Sequence, residues 1–470
     1  MKYLFILFTV FLSAAVYAQN ISGSWNGNLP NGNARLAIMF NIKQSGNTYT
    51  ATFDVPDQKA FGIPCSAVLS NDSITLSVTA IGASFKGKLN GNAISGLYTQ
   101  NNAGYPLTLT RQLRPQTPVP PYAYNSEDVA YDSADKNIHF GATLTRPKGN
   151  GKYPAVIIIS GSGAQDRDGT LFGHKLYAVL ADHLTKNGIA VLRVDDRGTG
   201  KTTLGKEGAN ATSVSFAQDA EAGLDYLKSR TDIDTRHLGL IGHSEGGIIA
   251  PMVAARRKDV SFIVMWGAPV VGGAVISTQQ NADQLRQALR LDADPKGKET
   301  VDAFTRLHAQ ELALFSTVKS EEELNTKAMQ IFNAWKAAQT PDVLKRLMVT
   351  DNSIVGQTVT GMYGGLYKQP WFRNFITYNP VVDLSKVTCP VLAIGGAKDT
   401  QVNTKENLQL INEVLTKNHN KSFKTVALPS LNHLLQTAQT GNLAEYGQIE
   451  ETLSPVALNL ISSWITLQVK

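Results

Sequence analysis

One stretch constrains this chain more than any other: Leu238-Gly-Leu-Ile-Gly-His-Ser-Glu-Gly-Gly-Ile-Ile-Ala250. The apolar run from Leu238 to Ile241 predicts a short buried strand, and Gly247 to Ala255 predicts a helix. Between them stands Gly242-His243-Ser244-Glu245-Gly246, a G-x-S-x-G turn. Such a turn holds its serine in a strained backbone conformation, with the hydroxyl standing clear of the sheet. Glycines at 242 and 246 let strand and helix approach closely enough for that. Three fixed residues alone are weak evidence. The flanking strand and helix are what make Ser244 a candidate nucleophile.

At 470 residues the chain has room for two or three domains and ample core. Hydrophobic residues make up 43% and charged residues 17%, ordinary for a soluble globular protein. The formal charge of +6 is spread without a Lys/Arg block, so neither nucleic acid nor an acidic membrane surface is implied as a partner. The two cysteines, Cys65 and Cys389, fall far apart, and two unpaired thiols are expected rather than an inter-domain disulfide. Oligomeric state is left open.

The first residues bear on compartment. Lys2 precedes an apolar stretch from Tyr3 to Val16, and Val16-Tyr17-Ala18 is a small-x-small pattern before Gln19. Residues 1–18 are therefore expected to be a secretory signal peptide. The run is shorter than the ~20 residues a membrane span needs, which weighs against an uncleaved anchor. No cysteine follows the cleavage pattern, which weighs against lipid attachment. No later stretch is apolar enough to cross a bilayer. The expectation is an exported protein, periplasmic or extracellular.

From 19 to 113 the pattern is one of short β-strands. Residues 37–42, 48–53, 73–78, 84–89 and 93–98 read as strands, separated by the turn signals Asn31-Gly32, Ser45-Gly46-Asn47, Asn71-Asp72 and Asn90-Gly91. This predicts an antiparallel all-β barrel or sandwich. Trp25, Tyr49, Phe53, Phe85 and Tyr98 could form a ligand-stacking face, although core packing is the better reading. Pro115, Pro118, Pro120 and Pro121 mark a stiff linker over 114–124.

From 125 to 470 strands alternate with helices. A strand pair at 127–131 and 138–144 is followed by strands at 155–160, 189–195, 261–266, 391–395 and 424–428. Helices are expected at 176–186, 214–228, 405–415 and 455–467. Strands with helical crossovers mean a mostly parallel sheet covered on both faces, an α/β architecture. Only helical patterns appear between Pro269 and about Arg373, at 281–291, 298–315, 321–338 and 341–347. Inserted between two core strands, a block at about 271–373 is expected to cap the functional edge of the sheet. A helical elaboration away from that edge is the blander alternative.

A serine hydroxyl needs a neighbouring base, and the base needs a third group to orient it. Val391-Leu-Ala-Ile-Gly-Gly-Ala-Lys-Asp399 offers a strand, a glycine turn and an acid; Asp383 and Asp351 compete with Asp399 for that role. Lys424 to His433 offers a strand, a loop and a histidine. Both positions lie just past a strand's carboxyl end, where open α/β sheets carry their sites. His243, inside the turn, should point into packing. Oxyanion stabilisation should come from backbone N–H groups. One is that of Glu245; the other is that of Ser162 in Ser160-Gly161-Ser162-Gly163, with Gly161 as the alternative donor. The charged stretches 165–169 and 195–200 leave adjacent strand ends, and their ion pairs are expected to stiffen the loops more than to wall a pocket. Neither Cys nor His falls at metal-ligand spacing, and no cofactor is called for.

With these residues assembled, the chain resembles the α/β-hydrolase superfamily, and within it the secreted bacterial serine esterases whose hydrolase domain follows a small β-domain. The resemblance rests on Gly161-Ser-Gly-Ala-Gln-Asp-Arg-Asp-Gly169, Asp196-Arg-Gly-Thr-Gly-Lys201, Gly242-His-Ser-Glu-Gly-Gly247, Tyr378-Asn-Pro380, Cys389 to Asp399 and Leu431-Asn-His433. The chain order Ser244, Asp399, His433 is the order of that fold. Ser160-Gly161 stands where the family usually has His-Gly, which leaves the second oxyanion donor less firmly assigned. The resemblance implies hydrolysis of short-chain acyl esters, on a small molecule or a glycan, through an acyl-enzyme. Two further readings stand beside it: a serine aminopeptidase or oligopeptidase on the same fold, and a non-catalytic binding protein on a hydrolase scaffold.

Overall fold

The computed structural model describes residues 21–470 apart from 32–33, 47, 59, 71, 290–293 and 350–352. The expected signal peptide lies outside the described residues, as do Gly32, Asn47, Asn71, Leu291 and Asp351. The chain divides into two compact units, one ending at Leu113 and one beginning at Arg114.

Eight strands of the first unit run up and down: β1 (Gly23–Asn31), β2 (Ala34–Ser45), β3 (Thr48–Val55), β4 (Ala60–Ser70), β5 (Ser73–Val78), β6 (Ala83–Asn90), β7 (Ala93–Gln100) and β8 (Ala103–Arg111). Each pairs antiparallel with the next, and β1 pairs with β8 at Trp25↔Arg111, closing a barrel. Closure removes the unpaired edges that a flat meander would expose. The period of two sets the core: Ile74, Leu76 and Val78 face inward, and their neighbours on β5 do not. Trp25, Phe53, Phe85 and Tyr98 are buried in that core and Tyr49 packs against it, so these aromatics are packing residues. The Phe40 and Phe53 rings meet at a tilt of 46° with centroids 4.8 Å apart. Strands β1, β4 and β8 had no clear sequence pattern, because Pro30, Pro64 and Pro106 interrupt them. The barrel ladder holds them as strands regardless.

The second unit carries an eight-stranded sheet. Its strands are β9 (Asn125–Asp132), β10 (His139–Arg146), β11 (Tyr153–Ile159), β14 (Ala190–Val194), β15 (Ile233–His243), β16 (Val260–Trp266), β17 (Val391–Gly396) and β18 (Phe423–Leu428); a two-residue hairpin, β12 (Thr170–Leu171) and β13 (His174–Lys175), lies outside it. The spatial order is β18-β17-β16-β15-β11-β14-β10-β9. The six strands from β14 to β18 are parallel, and β10 and β9 join antiparallel at one edge.

Helices cover both faces. Helices α1 (Leu176–Lys186) and α13 (Pro455–Gln468) pack together, while α2 (Ser213–Ser229), α3 (Gly246–Arg256) and α11 (Thr404–Lys417) form the other layer; the short α12 (Leu443–Tyr446) precedes α13. Alternation along β16 divides the two layers. Ile263 and Met265 enter the core shared with α3, whereas Phe262 meets Trp464 of α13 edge-on at 6.0 Å.

Between β16 and β17 run α4 (Gly273–Leu289), α5 (Pro295–Ala313), α6 (Glu321–Ala337), α7 (Pro341–Arg346), α8 (Ser353–Tyr367), α9 (Pro370–Thr377) and α10 (Pro380–Leu384). Proline occupies the first turn of α5, α7, α9 and α10, where its missing N–H has no intrahelical partner to lose. Asp294 and Ser320 cap α5 and α6 through their side chains. Helix α8 was not expected; Gly356, Gly361, Gly364 and Gly365 weaken its intrinsic propensity, and packing against α6 and α9 compensates.

Candidate active site

Ser244 sits on the turn between β15 and α3 with φ +53, a left-handed conformation that a serine adopts only under constraint. Its N–H donates to the Trp266 carbonyl at 2.8 Å. The flanking glycines are required by space. A Cβ at 242 would lie 2.0 Å from the Gly246 carbonyl oxygen, and one at 246 would lie 2.3 Å from that of Ile159. Backbone stands in the way in both cases, so no side-chain rearrangement could admit it.

The structure brings Asp399 and His433 together. His433 Nδ1 is 2.7 Å from Asp399 Oδ2, and both side chains are almost wholly buried. The other oxygen, Oδ1, accepts the backbone N–H groups of Gln401 and Val402 at 2.8 Å each. The His433 carbonyl accepts from Trp266 Nε1 at 3.0 Å, which ties its loop to the strand beside the serine turn. Gly267, with φ +59, follows Trp266; a Cβ there would lie 3.0 Å from His433 Cε1. Of the competing acids, Asp383 binds Tyr378 Oη and Lys386 instead, and Asp351 is outside the described residues.

His243 is buried behind this pair, its ring 4.3 Å from that of Trp266 and 5.1 Å from that of His433. The Tyr177 hydroxyl donates to Gln165 Oε1 at 2.9 Å and lies 3.2 Å from His243 Nδ1. Burial, helped by the nearby His433, holds the His243 imidazole far below its ordinary pKa, so it stays neutral.

The candidate oxyanion donors separate. Gly161 gives its N–H to the Tyr177 hydroxyl at 3.3 Å, so this alternative donor is already engaged. Among the described residues, the Glu245 and Ser162 N–H groups donate to no other protein group. A Cβ on Gly161 would lie 3.1 Å from Ser244 Cβ, which places the loop after β11 against the serine.

The charged loops form the ion pairs expected of them and also line a cavity. Arg167 pairs with Asp195 at 2.6 Å, Arg193 with Asp168, and Arg197 with Asp219 at 2.6 Å. Asp195, Asp196 and Arg197 join Gly161, Ser162, Phe216, Glu245 and Trp371 around a space of about 440 Å³. Asp196 accepts from Ser160 Oγ at 2.7 Å and from the Gln165 N–H at 2.8 Å. Burial, with Asp219 and Glu245 adding to it, pushes the Asp196 carboxyl up to about 7. The helical insertion reaches this edge: Trp371 of α9 donates from Nε1 to Glu245 at 2.9 Å. Trp371, Ser213 and Tyr177 carried no local sequence signal, since Trp371 and Ser213 meet Glu245 from 126 and 32 residues away and Tyr177 meets His243 from 66.

A family model described as serine aminopeptidase, S33, matches residues 173–313, a span that contains the serine turn. It agrees with the strand–serine–helix elbow on a mostly parallel sheet. The second unit has the α/β-hydrolase fold. Over 319 residues the chain is 26% identical to esterase EstD of Thermotoga maritima, covering 67% of this chain and 61% of that protein. Over 122 residues it is 34% identical to human dipeptidyl peptidase 8, covering 25% of this chain and 14% of the peptidase. Two solved structures align with this chain at TM-score 0.40. An esterase of Pyrococcus furiosus is 14% identical over 76% of this chain and 98% of its own, and Est1E of Butyrivibrio proteoclasticus is 17% identical over 73% and 98%.

Proposed function

We propose that this protein is an exported serine hydrolase that cleaves carboxylic esters through an acyl-enzyme. The observation that carries the reading is the buried His433–Asp399 pair beside the left-handed Ser244 turn. Ser244 Oγ attacks the ester carbonyl while His433 Nε2 takes its proton, and Asp399 holds the imidazole with its other nitrogen protonated. The N–H groups of Glu245 and Ser162 receive the developing oxyanion. His433 then protonates the departing alcohol, and water releases the acyl group by the reverse sequence. The similarity to an esterase over 67% of the chain supports esters as the substrate class. Small or glycan-linked short-chain esters are the substrates to try first.

An aminopeptidase or oligopeptidase reading draws support from the family description and from the dipeptidyl peptidase similarity. It needs an ionised carboxylate to hold the peptide amine. Within the insertion, Glu311 is fully buried with neither oxygen hydrogen-bonded, but burial pushes it up to about 8 and keeps it neutral near pH 7.

The test uses the mature chain with a fluorophosphonate probe, a panel of aryl esters of graded acyl length and a panel of aminoacyl anilides. Labelling and ester turnover are expected, and both should vanish in Ser244→Ala, with kcat down by ~10⁴ or more. Turnover of anilides alone would move the assignment to the peptidase reading.

A further inference from the structure

In the mechanism above Glu245 acts only through its backbone N–H, yet its side chain is the more unusual feature. It is 1% exposed and faces the same cavity as Asp195 and Asp196. Its Oε1 accepts from Ser213 Oγ at 2.6 Å and from Trp371 Nε1 at 2.9 Å, and its Oε2 accepts from Ser162 Oγ at 2.8 Å. The three donors come from three places: the loop after β11, the first turn of α2, and helix α9 of the insertion. The guanidinium at the same cavity, Arg197, is engaged with Asp219 and Glu207. A buried carboxylate without a paired cation is expensive, and charge-assisted hydrogen bonds offset that penalty only when the donors are held in place. An apolar residue would fill the position more cheaply if packing were its whole purpose.

The loop explains what the carboxylate is for. Ser162 stands between Gly161 and Gly163, the latter at φ +88, and its own side chain is exposed. Such a segment has wide backbone freedom. Its side-chain anchor at this point is the Ser162–Glu245 hydrogen bond. We propose that the Glu245 carboxylate is a positioning residue: it fixes the Ser162 N–H as an oxyanion donor and latches the insertion, through Trp371, to the same point. Seating of the insertion and readiness of the oxyanion site are thereby linked through one side chain. This rests on the serine-hydrolase reading.

The experiment measures kcat, KM and melting temperature of the full mature chain on one soluble aryl ester. The variants are Ser162→Ala, Glu245→Gln, Glu245→Ala and the double variant Glu245→Ala/Ser162→Ala, with Ser244→Ala alongside. Ser162→Ala keeps the backbone N–H and loses only the anchor. Misplacing one donor should lower kcat by about tenfold to a hundredfold with KM within about threefold. Glu245→Gln keeps a polar side chain that can bridge the three partners and should lose clearly less kcat than Glu245→Ala; a loss as large as that of Glu245→Ala counts against the proposal. Glu245→Ala should fall at least as far as Ser162→Ala, because it also releases Ser213 and Trp371, and the double variant should fall no further than Glu245→Ala, because the Ser162 link is already gone. A Ser162→Ala enzyme with kcat within twofold of the parent overturns the proposal, as do losses that multiply in the double variant. If Glu245→Ala does not fold, Ser162→Ala decides alone. Ester turnover that survives Ser244→Ala would instead bring down the hydrolase reading and this inference with it. Loss in Ser244→Ala beside an unaffected Ser162→Ala brings down only the inference.

Discussion

His433 Nδ1 lies 2.7 Å from Asp399 Oδ2, in surroundings that exclude water from both side chains. The second oxygen of Asp399 is held by two backbone N–H groups, so the carboxylate cannot rotate to release the imidazole. An amide in its place would keep the shape and disturb the hydrogen bond that selects the His433 tautomer. Asp399→Asn should lower kcat by ~10³ to 10⁴ while the fold persists. Measuring kcat together with the melting temperature checks this; a loss below tenfold would remove Asp399 from its proposed role.

Two glycines should respond to alanine with opposite signs. At Gly246 the added Cβ would meet the Ile159 and Ser160 carbonyl oxygens at 2.3 and 2.6 Å, and neither can move without breaking the sheet edge. Gly246→Ala should destabilise by about 1–3 kcal/mol or more and abolish fluorophosphonate labelling. At Gly361, on the exposed face of α8, nothing lies within 4 Å of the new atom. Gly361→Ala should stabilise by about 0.5–1 kcal/mol through helix propensity. Thermal melts of the two variants provide the comparison.

Asp196 gives the fold a signed pH dependence. Its carboxyl is pushed up to about 7 in the folded state, so the native protein holds a proton there that the unfolded chain releases near pH 4. The stability from this group is fully present below the unfolded value and is lost as pH rises through the folded one. Asp196→Asn, which can still bind Ser160 and Gln165, should therefore gain melting temperature relative to the parent at pH 8 and much less at pH 5. An equal difference at both values would contradict the burial argument.

The boundary between the units can be tested by truncation. Residues 114–124 read as a linker, but they fall in the second unit, where Arg114 Nη2 donates to the Phe172 and Gly447 carbonyls at 2.9 and 2.8 Å. Gln116 donates to the Leu453 carbonyl at 2.7 Å and accepts the Leu453 N–H at 3.0 Å. A 114–470 fragment should fold and turn over a small soluble ester near the parent rate. A 122–470 fragment lacks these straps and should melt several degrees lower. Equal melting temperatures would show the straps to be inert.

Much of the second unit was legible because its signals are local. Helix α1 was expected at 176–186 and spans Leu176–Lys186, since its apolar face repeats within one segment. The Ser244 turn was legible for the same reason: strand, glycines and helix follow one another in thirteen residues. Where local signals conflict with the tertiary setting, legibility failed. Pro30, Pro64 and Pro106 hid three strands that the closed barrel imposes, and four glycines hid α8.

By itself, then, the sequence determined the alternation of strands and helices, the serine turn and the chain order in which an acid and a histidine follow it. Only the tertiary structure decided what those residues touch. Asp399 rather than Asp383 meets His433 because the glycine turn after β17 and the loop after β18 leave neighbouring parallel strands. Glu245 gathers Ser213, Ser162 and Trp371 from 32, 83 and 126 residues away, and no pattern within a window of the chain encodes such a meeting. The reason is physical. Periodicity reports which face of an element avoids water, whereas a polar convergence depends on how separate elements dock, and that is set by the packing of the whole core.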